Sequence, residues 1–466
     1  MDYESTEMRR VLFIAYGFPP SMEMGAFTCA QIARYLPRYG WEPVVLTVKE
    51  KYVDDPYLKH NNADRASDSG LVIRTYKVPH PTDIYRWFNR RPLARELSHD
   101  TDQKAVSPTN GVKKKSSRAA RDLFLAWSSL PDKYNGWLIP AVAAGLRAIK
   151  RTKARAIFSS APYFTAHLVG HWLALLTGLP WVAHFRDPWI TGLPAERIPD
   201  DMCFKINRAL ERMTVSRADA VVCVTEEHAA LMRVVYDELA AAKFFVVMNG
   251  FDGLEWQEAV KLLPPDTTGE KYAADAPRKF RITYAGNLYM KRNPAPLFRA
   301  LRTLIDIGEI GHDEASVELI GLCELSEGRN MADLASEAGV EGCVEMRGRL
   351  SHSETLRRLL QSDLLLLLAE DLVFQIPGKT FEYLKTQRPI LALTCEGAAA
   401  NLLRRTGGAW VVSPDDQAGI INAVRECYRS WKYKLPGPAP DPLIVEGFDR
   451  RRTTGRIAEL FDFFSK

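Results

Sequence analysis

Lys379 and Glu382 are the residues whose types and spacing best suit chemistry on a charged ligand. They stand three positions apart in the stretch FQIPGKTFEYLKTQRPILAL, residues 374–393, which follows the apolar run DLLLLLA at residues 363–369. The pattern predicts a buried parallel strand, a loop, a helix that begins near Gly378 and a second strand. On such a helix, an ammonium and a carboxylate three residues apart share one face.

This position suits a nucleotide diphosphate. The N-terminus of a helix presents unpaired N–H groups at the carboxyl ends of the strands, where α/β proteins bind anionic ligands. A lysine there suits phosphates, and a carboxylate suits the two hydroxyls of a ribose. A solvated ion pair on a surface helix is the alternative. A P-loop is excluded, because Val373 occupies the place of its first glycine.

Charged residues also stand where two other strands are predicted to end. Lys291 and Arg292 lie just before a predicted helix, and two cations beside a helix N-terminus again predict phosphate binding. In the first half of the chain, the strand predicted at 181–185 runs into Arg186 and Asp187. Asp187 either has a functional role at the carboxyl end of this strand or starts a turn before the following proline.

The sequence favours neither a resident metal ion nor a nicotinamide cofactor. His167 and His171 have the spacing of two metal ligands on a helix, but no third ligand accompanies them, so we predict structural histidines. The loop after the first predicted strand meets its helix at a single glycine, Gly25. A dinucleotide-binding fingerprint would need more glycines there.

Length and composition indicate two globular domains. A chain of 466 residues exceeds the size at which single cores stop growing. A formal charge of +5 is small for this length, which argues against a nucleic-acid binder. We expect a cytoplasmic protein, because no signal peptide or membrane span is evident and the cysteines are scattered, as in a reducing compartment. The seven cysteines are Cys29, Cys203, Cys223, Cys323, Cys343, Cys395 and Cys427.

Residues 80–121 interrupt the alternation of predicted strands and helices with a basic stretch. It contains Lys113-Lys114-Lys115 and several arginines with few acids, and tryptophans border it. It is either a solvated insertion or a contact to an anionic membrane surface.

Several motifs in order resemble the GT-B glycosyltransferases of family 4, the type found in bacterial surface-polysaccharide assembly. The resemblance covers most of the chain and depends on the order and spacing of motifs that are individually weak. The motifs are VLFIAYGFPP with Gly25, IFSSAPYFTAHLVG, GLPWVAHFRDPW, ADAVVCVTE, VVMNGFD, ITYAGNLYMKRNP and IPGKTFEYLKTQRPILAL.

The resemblance implies an α/β fold of two doubly wound, Rossmann-like domains that face each other across a cleft. Residues 1–250 would form the acceptor-binding domain, with the basic insertion at about 80–121, and residues 251–445 the domain that binds the nucleotide sugar. Residues 446–466 would form a helix that returns to the first domain. The implied reaction is sugar transfer to a glycan or lipid-linked acceptor, usually with retention. The nucleotide sugar is the substrate, and no cofactor, metal or nucleic acid is needed.

Matching single positions to the family gives roles to three residues. Glu382 matches the glutamate that binds the ribose, Arg292 the diphosphate-binding lysine, and Gly25 the small residue that lets the donor phosphate approach. The sequence departs from the family where Phe374 replaces the first glutamate of a paired-acid motif and Asn287 replaces an arginine. A third departure is Asn293, which replaces the glycine after the phosphate-binding cation.

These considerations predict the following site. The residues predicted to act in catalysis are Arg292, Lys379, Asp187 and His184. The predicted donor-binding residues are Gly25, Gly286, Asn287, Lys291, Arg292, Pro377, Gly378, Lys379, Thr380 and Glu382.

Two other functions remain open from the sequence. A sugar-nucleotide 2-epimerase shares the implied fold. A non-catalytic, membrane-associated protein of this fold would fit the loss of the glutamate at Phe374 and the basic insertion.

Overall fold

The computed structural model describes residues 8–21, 24–53, 70–80, 128–193, 202–262, 278–289, 291–370 and 372–465. The basic stretch predicted to contact a membrane, residues 80–121, lies outside the described residues except for its first one.

Most of the strands occur where apolar runs in the sequence predict them. They are β1 Arg9–Ile14, β2 Trp41–Val48, β3 Leu71–Thr75, β4 Ala156–Ala161, β5 Trp181–Phe185, β6 Ala220–Cys223, β7 Phe244–Val246, β8 Phe280–Ala285, β9 Ala315–Ile320, β10 Leu325–Ser326, β11 Arg329–Asn330, β12 Val344–Gly348, β13 Leu364–Ala369, β14 Ile390–Thr394 and β15 Ala409–Val412.

The α-helices alternate with most of these strands. They are α1 Met24–Tyr35, α2 Leu138–Thr152, α3 Thr165–Thr177, α4 Met202–Arg217, α5 Glu226–Val235, α6 Gly253–Lys261, α7 Ala295–Asp306, α8 Met331–Glu337, α9 His352–Leu360, α10 Lys379–Lys385, α11 Ala398–Thr406, α12 Gln417–Lys432, α13 Pro442–Glu446 and α14 Arg450–Phe464.

Two large sheets organise the described residues. One has seven strands in the order β3-β2-β1-β4-β5-β6-β7, and the other has six in the order β12-β9-β8-β13-β14-β15. The pairings with a determined register in these sheets are parallel, and β10 and β11 form a small antiparallel pair. The prediction of an α/β fold with two doubly wound, parallel sheets is confirmed.

Contacts divide the chain into two compact units. The first comprises Met1–Ala33, Gly40–Val221 and Phe464–Lys466, and the second comprises Arg34–Tyr39 and Val222–Phe463. The second unit therefore includes most of α14 and the turn after α1. The boundaries inferred from the resemblance, near residues 250 and 445, remain predictions.

The predicted central strand β13 is buried on both faces. Leu364, Leu366 and Leu368 belong to one hydrophobic cluster, while Leu365 and Leu367 belong to another. Because side chains alternate across a strand, these two clusters lie on opposite faces of the six-stranded sheet. Each fully buried leucine contributes about 1.5–3 kcal/mol relative to an exposed one. This strand fixes the position of the loop and helix that carry Lys379 and Glu382.

No helix in the described residues is both long enough and apolar enough to cross a bilayer.

Candidate active site

Helix α10 presents Lys379 and Glu382 on one face, as predicted. The Lys379 Nζ lies 2.8 Å from Oε2 of Glu382, and the two side chains are 21% and 14% exposed. The other carboxylate oxygen, Oε1, lies 3.7 Å from Nε2 of His352, which is itself 3.1 Å from Oε2 of Glu255. The Glu382 carboxylate is thus half enclosed between an ammonium and an imidazole.

Tyr383 attaches this helix to the end of strand β8. Its hydroxyl oxygen accepts a hydrogen bond from the N–H of Ala285 at 2.7 Å. The ring is fully buried, and this burial raises the pKa of the Tyr383 phenol. Because Ala285 is the last residue of β8, this bond fixes α10 beside the loop that carries the second predicted cation pair.

Pro377, Gly378 and Thr380, which the sequence also predicts to bind the donor, lie at the start of α10. The carbonyl of Pro377 accepts a hydrogen bond from the N–H of Thr380 at 2.9 Å, and Gly378 occupies the position before the first helical residue. Thr380 is fully buried, and its hydroxyl has no hydrogen-bond partner among the described residues.

The loop after β8 is tied to the loop after β9. The N–H of Gly286 donates to Ile320 O at 2.8 Å, and Oδ1 of Asn287 accepts from the N–H of Leu322 at 3.0 Å. Gly321 has a φ of +127°, and a Cβ there would come within 2.7 Å of the carbonyl carbon of Gly286. Only glycine allows this close backbone approach. Asn287 stands at the position where the family often has an arginine, and its side chain joins the two loops through the hydrogen bond from Leu322.

Arg292 lies over this loop. Its guanidinium is 4.0 Å from the ring centroid of Tyr289, and Nη1 donates to the carbonyl of Asn287 at 3.4 Å. The same carbonyl accepts from the hydroxyl of Tyr284 at 3.1 Å, and burial raises the pKa of that phenol. Lys291, next to it, is exposed. The loop carries two adjacent cations, one of them oriented by an aromatic ring.

Phe374 packs against helix α5. Its carbonyl accepts a hydrogen bond from the hydroxyl of Thr225 at 2.8 Å, and its ring centroid is 6.5 Å from that of His228. The apolar ring thus occupies the position at which the family has a glutamate.

In the first unit, Gly25 and Arg186 lie against each other. A Cβ built on Gly25 would overlap Nη1 of Arg186 and would lie 2.9 Å from both Cζ and Nη2. The guanidinium also donates from Nη2 to the carbonyl of Pro162. Because Gly25 has no side chain, the Arg186 guanidinium of the same unit can occupy this space.

His184 and Asp187 lie at the carboxyl end of β5, as predicted. Nδ1 of His184 is 3.1 Å from Oγ of Ser160, and the ring stacks on Phe158 with centroids 5.5 Å apart. His184 is only 2% exposed, whereas Asp187 is half-buried. The imidazole is held rigidly, and the carboxylate is the more accessible of the two groups.

The two histidines on α3 have structural surroundings. Nδ1 of His167 is 2.8 Å from Oγ of Ser159, which also accepts from Nε1 of Trp181. Burial, and secondarily the charge of Arg186, lowers the pKa of His167 to about 3. Within the described residues, no group of three or more His, Cys, Asp or Glu side chains could hold a metal ion.

The Tyr383–Ala285 bond joins helix α10, which carries Lys379 and Glu382, to the end of β8, where the loop with Lys291 and Arg292 begins. Gly25, His184 and Asp187 belong to the first unit. Their assignment to catalysis or donor binding remains a prediction. Sequence reasoning did not select Arg186, Tyr383 or His352 for the site, because their contacts join positions far apart in the chain.

One family model matches the chain. Residues 25–250 match the model of the glycosyl transferase 4-like domain. A sequence search of the curated proteins found no match.

Solved structures match nearly the whole chain. A glycosyltransferase from Rickettsia africae ESF-5 is 14% identical, with a TM-score of 0.59 and 99% of both chains covered. Anabaena Alr3699/HepE in complex with UDP is 14% identical, with a TM-score of 0.60 and coverage of 98% of this chain and 100% of that one. WaaG, a glycosyltransferase involved in lipopolysaccharide biosynthesis, is 13% identical, with a TM-score of 0.52 and coverage of 98% and 96%. At such identities, these similarities establish the fold. Residues 25–250 therefore form a glycosyl transferase 4-like domain, and the chain as a whole has the GT-B fold of these glycosyltransferases.

Proposed function

We propose that the protein transfers a sugar from a nucleotide-diphosphate sugar to a glycan or lipid-linked acceptor, with retention at the anomeric carbon. The observation that carries this proposal is the position of the Lys379–Glu382 pair on a helix that Tyr383 fixes to the end of β8, beside the loop with Arg292. Structures of Anabaena Alr3699/HepE with UDP, with UDP and glucose, and with UDP-glucose support a uridine nucleotide as the first donor to test.

Each group has a distinct task in this proposal. The carboxylate of Glu382 accepts hydrogen bonds from the two ribose hydroxyls, and Arg292 and Lys379 bind the diphosphate. Lys379 exchanges part of its contact with Glu382 for a phosphate oxygen when donor binds. Because the carboxylate and the ammonium are 2.8 Å apart, one nucleotide can contact both.

The chemical step needs no protein nucleophile. The bond between the anomeric carbon and the diphosphate oxygen breaks, and the acceptor oxygen bonds to that carbon on the same face. The acceptor proton passes to the leaving phosphate oxygen. Negative charge develops on the diphosphate, so cations already aimed at it lower the barrier. His184 and Asp187 orient the acceptor. The nucleotide sugar is a substrate, and the scheme uses no cofactor or metal.

We place this reaction in bacterial surface-polysaccharide biosynthesis, on the cytoplasmic side of the membrane. The seven free cysteines agree with a reducing compartment. Peripheral association through the basic insertion at 80–121 belongs to the same proposal. The proposal includes no nucleic-acid partner.

A nucleotide panel followed by an activity assay tests the proposal. UDP, GDP and dTDP are compared by thermal shift, because a ligand that binds only the folded state raises the Tm. The sugar donor of the best nucleotide is then incubated with and without acceptor glycans. We expect one of the three nucleotides to raise the Tm. In the activity assay, we expect the matching nucleotide sugar to release that nucleoside diphosphate faster when acceptor is present.

Matched variants make the result specific. Glu382→Gln removes the carboxylate that we assign to the ribose, whereas Glu396→Gln changes an exposed glutamate paired with Arg404 in the same unit. Only the first should lose the thermal shift. Acceptor-independent release of free nucleotide would favour the 2-epimerase. Failure of every nucleotide to bind would contradict the proposal and favour a non-catalytic protein.

A further inference from the structure

Helix α3 exposes a purely apolar patch. The helix, TAHLVGHWLALLT, contains no Asp, Glu, Lys or Arg. Trp172, Leu175 and Leu176 are 43%, 54% and 57% exposed, and positions three and four apart on a helix are neighbours. The opposite face, which includes Leu173 and Ala174, is fully buried. About half of the surface of these three side chains therefore lies outside the core of this unit.

The helices next to this patch carry exposed cations. Helix α3 packs against both α2 and α4, and all three belong to the first unit. Helices α2 and α4 contain a single acidic residue, Glu211. It is fully buried and accepts hydrogen bonds from the N–H and the hydroxyl of Thr191. The exposed cations are Arg147, Lys150 and Arg151 on α2 and Lys205, Arg208 and Arg212 on α4.

We propose that α2, α3 and α4 form a docking surface for an anionic phospholipid membrane. Tryptophan prefers the level of the headgroups, and leucines beside it enter the boundary of the acyl chains. Lysine and arginine side chains reach from both flanks to lipid phosphates. A surface with an apolar centre, cations around it and no exposed acid on its helices matches an anionic bilayer in both polarity and charge.

The charge distribution favours a membrane over a protein partner. Protein interfaces have a rim of mixed charges that sets orientation and partner choice. Here the exposed charges on α2 and α4 are all positive, and α3 contains no Asp, Glu, Lys or Arg. An anionic bilayer presents phosphates on every side of the patch, so all the flanking cations can find a counter-charge at once.

Vesicle sedimentation tests this inference without donor or acceptor, so its failure and that of the proposed function are distinguishable. Full-length protein is mixed with vesicles of phosphatidylcholine alone or with 30% phosphatidylglycerol, at low and high salt. We expect binding to the anionic vesicles that weakens with salt, because screening shortens the reach of surface charges. Each exposed cation should contribute about fivefold to the partition coefficient.

Two sets of variants separate the apolar and charged parts. The variant W172Q/L175Q/L176Q should bind anionic vesicles at least about tenfold more weakly, with an unchanged Tm. Neutralising Lys150, Arg151, Lys205 and Arg208 to glutamine should weaken binding to anionic vesicles and reduce its dependence on salt, while the basic insertion at 80–121 is unchanged. The controls V234Q/L262Q/L443Q and K261Q/R299Q/R456Q change exposed residues of the second unit and should bind as the wild type does.

Several results would overturn the inference. One is wild-type binding to vesicles by W172Q/L175Q/L176Q. Another is a lower Tm of that variant with unchanged binding, which would mean that the chain itself covers the patch. A third is a wild-type dimer that this variant converts to a monomer while vesicle binding persists. Absence of wild-type binding to any vesicle would also reject it.

Discussion

The guanidinium of Arg186 lies directly against Gly25, at the place where a side chain would start. A Cβ on residue 25 would be 2.9 Å from Cζ and Nη2 of Arg186 and would overlap Nη1. The family resemblance explains this glycine by the approach of a donor phosphate. The structure adds a second reason, because a cation of the same unit occupies that space.

A double-mutant cycle distinguishes the two reasons. Gly25→Ala forces the flexible end of Arg186 to move, so we expect kcat/KM for sugar transfer to fall about tenfold with little change in Tm. In an Arg186→Ala background, the same change should cost less than about twofold, because the contact is already absent. Equal losses in both backgrounds would show that Gly25 serves a ligand and not Arg186. Gly342→Ala, where a Cβ would meet only an ordinary contact, is the neutral control.

Replacement of Arg292 by alanine should lower kcat by about 100-fold, because it removes one cation that stabilises the leaving diphosphate. Urea unfolding should be close to that of the wild type, since the Arg292 side chain is half-buried and contacts the Tyr289 ring and the Asn287 carbonyl within its own loop. Steady-state kinetics with the donor found in the nucleotide panel measure the effect.

Arg299→Ala is the matched control for Arg292→Ala. Arg299 lies on the helix that follows this loop and is exposed. Its removal should leave kcat unchanged. Wild-type turnover in Arg292→Ala would discard the assignment of Arg292.

Tyr383→Phe should lower the free energy of unfolding by about 1–3 kcal/mol, because the N–H of Ala285 would lose its buried acceptor. Urea denaturation followed by circular dichroism measures this change. Donor KM should also rise, since α10 would be less firmly attached to the end of β8. Tyr433→Phe changes an exposed tyrosine and should alter neither quantity. If Tyr383→Phe unfolds like the wild type, the hydroxyl does not attach α10.

His167 should make the fold less stable as pH falls from 6.5 towards 3. The pKa of His167 is about 3 in the folded protein, chiefly because the ring is buried, against 6.5 in the unfolded chain. The unfolded chain therefore takes up a proton in this window while the folded protein does not. The stability is fully present above pH 6.5, and about 2 kcal/mol is lost by pH 5.

Comparison with His167→Gln isolates this effect from other titrating groups. The stability advantage of the wild type over the variant should shrink by about 2 kcal/mol between pH 7 and pH 5 in urea denaturation. His312→Gln, at an exposed histidine, serves as the control. A constant difference between wild type and His167→Gln would mean that His167 does not titrate in this way.

Most strands, and the start of helix α9, were predictable because they depend on local patterns. The leucine run at 364–368 is long enough for a strand and too short for a bilayer span, and it forms β13. Ser351 caps α9 as its spacing to Glu354 predicts, with the Glu354 N–H donating to its hydroxyl at 3.1 Å. In contrast, β10 and β11 have two residues each and therefore show no periodicity.

The candidate site was only partly predictable, because its chemistry depends on contacts between distant positions. The pairing of Lys379 with Glu382 follows from helix geometry. The approach of His352 to Glu382 and of Arg186 to Gly25 depends on how separate elements pack, which no local pattern encodes. Tyr383 lies on the buried apolar face of α10 with Phe381 and Leu384, and its hydroxyl has a role that hydrophobic spacing does not reveal.

The affinity of Glu382→Gln for UDP is the most direct test of the nucleotide site. Isothermal titration calorimetry would compare this variant with the wild type and with Glu396→Gln. We predict that Glu382→Gln binds UDP about 10–100-fold more weakly, because two hydrogen bonds to a charged group lose their strength, and that Glu396→Gln binds as the wild type does. Equal UDP affinity in all three proteins would contradict the placement of the nucleotide ribose at Glu382.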